Sequence, residues 1–176
     1  MPEFNYTTTP GQTVARELLL AFLNTGTADA PVWSVLGKRV EDSSISFDWS
    51  TETKTDILGD TYTTGKKATR TQTFEPGELD AADAAQERIW ELGVRENNVN
   101  ALLNQDVLLV HLYKQDGQGG AFAERYESSS ILPTGLGGAG GGSLGMPIDV
   151  TFGGRRTCGT YKVVDGAGVF TAEVAV

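Results

Sequence analysis

The sequence predicts a mainly β protein: an antiparallel β-sandwich or barrel with one flanking α-helix and a long hairpin arm. Three observations lead there. Roughly eight short apolar runs lie close together, divided by Gly-rich or Asp-Gly turns, which leaves no room for the crossover helices that parallel strands need. Only one stretch, Asp80 to about Arg95, repeats apolar residues at helical spacing. In mid-chain, two alternating runs flank a polar segment, Ser50 to Lys66, that is long for a connection in a compact domain. At 176 residues the chain is long enough for one buried core and short for two, so residues 1–176 read as a single domain with excursions.

Thr13 to Asn24 is ambiguous. Leu18, Leu19 and Phe22 suit a helix with Thr13 as N-cap and Gly26 as stop, and the same short apolar run suits a buried strand. Trp33, Val35 and Leu36 before Gly37 read as a short strand or an apolar loop. Then Ile45, Phe47 and Trp49 alternate with Ser44, Ser46 and Asp48, and after the arm Thr69, Thr71 and Thr73 alternate with Arg70, Gln72 and Phe74. The arm between them is nearly all Thr, Glu, Lys, Asp and Gly, except for Ile57 and Leu58, held between Asp56 and Gly59. An apolar tip on a polar arm cannot easily reach its own core, so the surface of another subunit is the natural place to bury it.

Phe74-Glu75-Pro76-Gly77 reads as the end of the second strand. In the helix that follows, Asp80 is placed to cap, Asp83 lies in the first turn, and Arg88 and Arg95 lie toward the end, a charge order that suits the macrodipole. Ala82, Ala85, Ile89 and Leu92 form its apolar stripe, and Trp90 widens it. Val107 to Tyr113 is branched and continuous enough for a central strand. Ala121 to Leu132, Ser143 to Phe152, Arg156 to Val164 and Val169 to Val174 complete the set.

Composition narrows the function. A formal charge of −9 argues against a protein that grips nucleic acid, because that grip comes from Lys and Arg displacing counterions, though not against a surface past which nucleic acid slides. The single cysteine, Cys158, forms no intrachain disulfide, and a reducing compartment fits. Leu18 to Leu23 is too short to span a bilayer, and the start Met-Pro-Glu-Phe lacks the basic region of a signal peptide.

The chemical motifs are weak. Gly135, Gly137 and Gly140 match G-x-G-x-x-G, but Gly141, Gly142, Gly145 and Pro147 forbid the helix that a dinucleotide site requires, so an inter-strand loop is the better reading. His111, the only histidine, sits in the strongest strand. One His and one Cys leave room for a Cys/His nucleophile pair, but a structural histidine fits better. Glu75, Glu78, Asp80, Asp83, Glu87 and Glu91 read as a mostly solvated helical face.

These residues resemble the major tail tube proteins of long-tailed, siphovirus-type bacteriophages and related prophages. The resemblance lies in Val32-Trp33-Ser34-Val35-Leu36-Gly37, in Ile45-Ser46-Phe47-Asp48, in the run from Thr51 through Ile57-Leu58-Gly59 to Thr64, and in the Thr73-Phe74-Glu75-Pro76 closure. It continues in Met146-Pro147-Ile148 and in Gly153 to Thr160, and covers nearly all the chain in family order.

The resemblance implies a non-enzymatic virion structural protein, made in the host cytoplasm and self-assembling into stacked hexameric rings. Their lumen would enclose the tape measure protein during assembly and conduct DNA, without specific binding, during ejection. The partners it implies are further copies of the chain, the tape measure protein, the tail terminator and the baseplate or distal tail proteins; it implies no cofactor, metal, catalytic residue or membrane. It selects a strand for Thr13 to Asn24. Carried over, the arm becomes the inter-ring contact, with Lys54, Asp56, Ile57 and Leu58 as contact residues, and Ser44, Ser46 and Asp48 become a polar strand face lining the lumen. Two other readings stay open: the same subunit in a contractile tail or phage-derived bacteriocin, and a carbohydrate-binding β-sandwich module with exposed aromatics in a cleft.

Overall fold

The structure, a computed structural model, describes residues 3–173. Strands β1 (Asn5–Tyr6), β2 (Leu19–Asn24), β3 (Trp33–Val35), β4 (Val40–Asp42) and β5 (Ile45–Asp48) precede the arm strands β6 (Glu52–Thr55) and β7 (Thr61–Thr64). After β8 (Thr69–Gly77) come helices α1 (Ala84–Trp90) and α2 (Val99–Leu102). Strands β9 (Gln105–Gln115), β10 (Ala121–Pro133), β11 (Ile148–Phe152), β12 (Arg156–Val164) and β13 (Ala167–Ala172) follow.

Every pairing is antiparallel, and β10 is the hinge of the architecture. Its first half, Ala121 to Tyr126, lies between β9 and β12, whereas Ser130 to Pro133 pair with β11. A register shift between Tyr126 and Ser129 marks the change from one sheet to the other. The first sheet runs β3-β2-β9-β10-β12-β13, and β13 comes back beside β3, so the sheet curls most of the way round. The second runs from β10 through β11 to β8, which carries β5 along its first half and β4 along its second.

This curl explains the unbroken apolar run of β9, because both faces of the strand are covered. Val107 and Leu109 point into the larger core with Leu23, Phe74, Tyr126, Ile131, Val150 and Phe152. Leu108 and Val110 point the other way, into a smaller core with Phe22, Ala123 and Tyr161. Helix α1 closes the larger core through Ala85 and Ile89. Burial of Ile89 alone contributes about 1.5–3 kcal/mol.

Several expectations change. The helix begins at Ala84, and Asp83, not Asp80, caps it: its carboxylate accepts from the Gln86 amide at 2.9 Å. Asp83 is buried, and Asp80 pairs with Lys38 at 2.9 Å and Arg39 at 3.2 Å, so neither belongs to a solvated face. Asp83→Ala is expected to cost about 1 kcal/mol, read as a lower urea midpoint. Residues Glu91–Arg95 widen into a π-turn, where Gly93 lets Pro133 pack closely, and the four-residue α2 adds a second helical piece.

The helical option for Thr13 to Asn24 fails, since β2 begins at Leu19 after a single 3-10 turn, Arg16–Leu18. Strand β8 continues through Pro76, because its pairing with β11 ends at Phe74 and the missing N–H leaves no gap in that ladder. The strand expected from Ser143 starts only at Ile148, because the preceding residues bridge to Gly77 and Glu78. The last expected strand starts earlier, at Ala167, and its end at Val174 lies outside the described residues. Short β1 and β4 went unread, their two or three residues being too few to show a period.

Candidate assembly surface

The arm is a regular two-stranded hairpin standing off the protein. Glu52↔Thr64, Thr53↔Thr63, Lys54↔Tyr62 and Thr55↔Thr61 are its pairs, and every residue from Phe47 to Lys67 is exposed. Asp56 shapes the tip. Its Oδ1 accepts from the amides of Leu58 at 2.8 Å and Asp60 at 2.9 Å, while Gly59 takes φ +88°, where a side chain would be strained. This turn thrusts out Ile57 and Leu58, which are 102% and 83% exposed. Lys54 sits opposite Tyr62, with its ammonium 3.1 Å from Glu52. Of the four expected contact residues, Ile57, Leu58 and Lys54 therefore present their side chains outward, while Asp56 is turned onto its own loop.

The second feature is the outer face of the second sheet. Registers Ser46↔Thr71 and Asp48↔Thr69 on one side of β8, and Thr73↔Asp149 and Thr71↔Thr151 on the other, place these side chains on one surface. Asp42↔Glu75 extends it. The inward face of β8 carries Arg70, Gln72 and Phe74 instead, so this outer surface is mainly hydroxyls and carboxylates, with Leu132 of β10 beside Asp149 and no cation among them. Ser46 and Asp48, expected on a polar strand face, lie on it, with Ser44 just before β5. Thr69, Thr71 and Thr73 were legible as an alternation, but that they share a surface with Asp149 and Thr151 is a fact of strand pairing. No local signal carried it.

At the foot of the arm lies a buried ionic cluster that sequence reading missed. Glu124, 1% exposed, accepts from Arg70 at 2.7 Å and from Arg156 Nε at 2.6 Å, and His111 Nε2 lies 3.2 Å from it. Arg70 also donates to the Tyr126 hydroxyl at 2.8 Å and stacks over Phe47 at 5.0 Å. Burial by itself would raise the Glu124 pKa, but the His111 hydrogen bond and the Arg70 and Arg156 charges outweigh it and hold the carboxyl at about 2. The cluster joins β8, β9, β10 and β12. His111 is thus a structural bridge, its other nitrogen 2.7 Å from the Tyr113 hydroxyl. Burial pushes the Cys158 thiol up, which removes the thiolate a Cys/His pair would need. Among the described residues no His, Cys, Asp and Glu gather as a metal set, and no helix is long and apolar enough to cross a membrane.

No protein-family model matches the chain, and no curated protein matches it. Among solved structures it is similar to the PVC sheath/tube terminator of an extracellular contractile injection system in its extended state, at 9% identity and a TM-score of 0.51, covering 85% of this chain and 99% of that one. A chain of the PVC sheath-tube complex follows at 11% identity and TM-score 0.47, covering 85% and 93%. The anti-feeding prophage cap, an AFP tube terminating cap, gives 12% and 0.47, covering 87% and 95%. At such identities the first of these is a likeness of fold, and it spans nearly the whole of the neighbour.

Proposed function

We propose that this chain is the non-enzymatic, repeating structural subunit of a phage-tail-like tube, its copies closing into rings, hexameric by the sequence resemblance, that stack through the arm. The observation that carries this reading is the bare Ile57-Leu58 pair at the tip of a hairpin whose residues are all exposed. An apolar tip in water is a cost that a neighbouring copy removes. Head-to-tail contacts of this sort propagate into a filament instead of closing.

The part of this surface nearest the arm, with Ser46, Asp48, Thr69, Thr71 and Thr151, is the wall we assign to the lumen, where the tape measure protein would lie during assembly and DNA would later pass. With no Lys or Arg on it, phosphate finds no counter-charge to hold. Ser46→Lys together with Thr71→Lys is expected to leave assembly intact and to make tubes retain DNA at low salt and release it at high salt; equal retention by wild-type and variant tubes would place the lumen elsewhere.

The direct test is negative-stain microscopy of the purified protein. Rings or tubes are the expected result, and uniform small particles at high concentration overturn the proposal. Tail terminator and baseplate proteins are the end partners of such a tube, and the assembled tail in the virion is its location. The sequence resemblance points to a non-contractile phage tail. The likeness to a contractile injection system's terminator favours a second reading, a subunit of a contractile tail or phage-derived bacteriocin. A sheath protein that co-purifies with the tubes would select it.

A further inference from the structure

Resting on that reading, we propose where the arm docks: its tip enters the groove between the Gly135–Gly145 loop and the far end of β8 on a second copy. Strand β8 gives the molecule a direction. The arm joins it at Thr69, and the glycine-rich loop meets it at the opposite end, where Gly77 accepts from the Met146 amide at 2.6 Å and Glu78 bridges to Gly145. A contact that repeats head to tail needs two different patches at opposite ends of the subunit. The tip and this groove are such a pair.

The groove suits its occupant. It has a volume of about 650 Å³ and is lined by Asp42, Ser44, Glu75, Pro76, Gly137 and Pro147, among others. Pro76 and Pro147 of the lining supply apolar surface for Ile57 and Leu58. At Gly137 an added Cβ would meet nothing within 4 Å, so another chain's side chains can come close to the backbone there. The charged lining residues, Asp42 and Glu75, are both acidic, and Lys54 on the arm, 3.1 Å from Glu52 in the free subunit, is the cation that would exchange partners to reach them. Asp60 is the one tip carboxylate not turned into its own loop; Asp56 is held by two backbone amides.

The test is disulfide trapping in full-length protein carrying Cys158→Ser. Leu58→Cys and Gly137→Cys proteins are mixed and oxidised, and a chain carrying both substitutions is oxidised alone. The expected result is a 58-to-137 dimer in the mixture and a ladder of linked chains from the double variant. As a second arm, Gly137→Trp fills the groove without touching the core and should raise the critical concentration for assembly about 10-fold or more. If wild-type tubes form but the trap yields no 58-to-137 link, or links 58 to 58, the groove assignment falls while the tube reading stands. Wild-type protein that never assembles removes both.

Discussion

Leu58→Asp is expected to yield folded protein, as subunits or single rings, that does not polymerise into tubes. The side chain is 83% exposed, so its replacement should change folding stability by no more than about 0.5 kcal/mol. Assembly is another matter. An apolar anchor seated in a neighbour's pocket is worth about 2–4 kcal/mol, and a buried carboxylate adds a desolvation penalty, so the critical concentration should rise by about 30- to 1000-fold. Sedimentation or light scattering reads the loss of polymer, and circular dichroism with a urea melt reads the retained fold. Tubes formed by the variant at wild-type concentration would discard the arm's role.

The second large effect lies inside the protein. Glu124→Gln removes the negative charge that Arg70 and Arg156 share and keeps the shape of the side chain. At neutral pH the loss should be about 3 kcal/mol, since the carboxyl is held at about 2, well below the usual carboxylate range, and two guanidinium groups would be left short of a counter-charge. The sign with pH follows from the lowered value. The stabilisation is complete above the pKa of the unfolded chain and fades as pH falls from about 5 toward 2. Thermal melts of wild type and Glu124→Gln should therefore differ widely at pH 7 and converge near pH 2; a constant gap would mean that the carboxylate charge is not what matters. Because Arg70 is the second residue of β8, the variant should also loosen the foot of the arm.

How much of this was legible depends on the range of the physics involved. Strand runs such as Val107 to Tyr113 and Arg156 to Val164 show in sequence because side-chain periodicity is local. The same holds for the arm tip, where Asp56, Gly59 and the apolar pair spell out a turn and its cargo within four residues. Glu124 carried no such mark. It sits among ordinary strand residues, and its partners Arg70, Arg156 and His111 lie 54, 32 and 13 residues away, joined only by pairing across the curled sheets. The polar wall was half visible, as Ser44, Ser46 and Asp48, and the rest waited on register. The helix start was misplaced by three residues because Asp80 and Asp83 both suit a cap and only tertiary contacts divide them: Lys38 and Arg39 draw Asp80 away.

The hairpin of β6 and β7 has a cross-strand hydrogen bond between Thr53 and Thr63 but no interior of its own. A lone two-stranded ribbon is marginal in water, so in a free subunit its ends fray and reform. Freezing it costs conformational entropy at the moment of engagement, which makes a first encounter between two isolated copies feeble. A growing end offers many such engagements together, so that cost is met collectively. In the proposed tube, polymer should therefore extend from an existing seed more readily than it starts afresh, so purified protein should show a lag before tubes appear at high concentration, and added seeds should remove that lag.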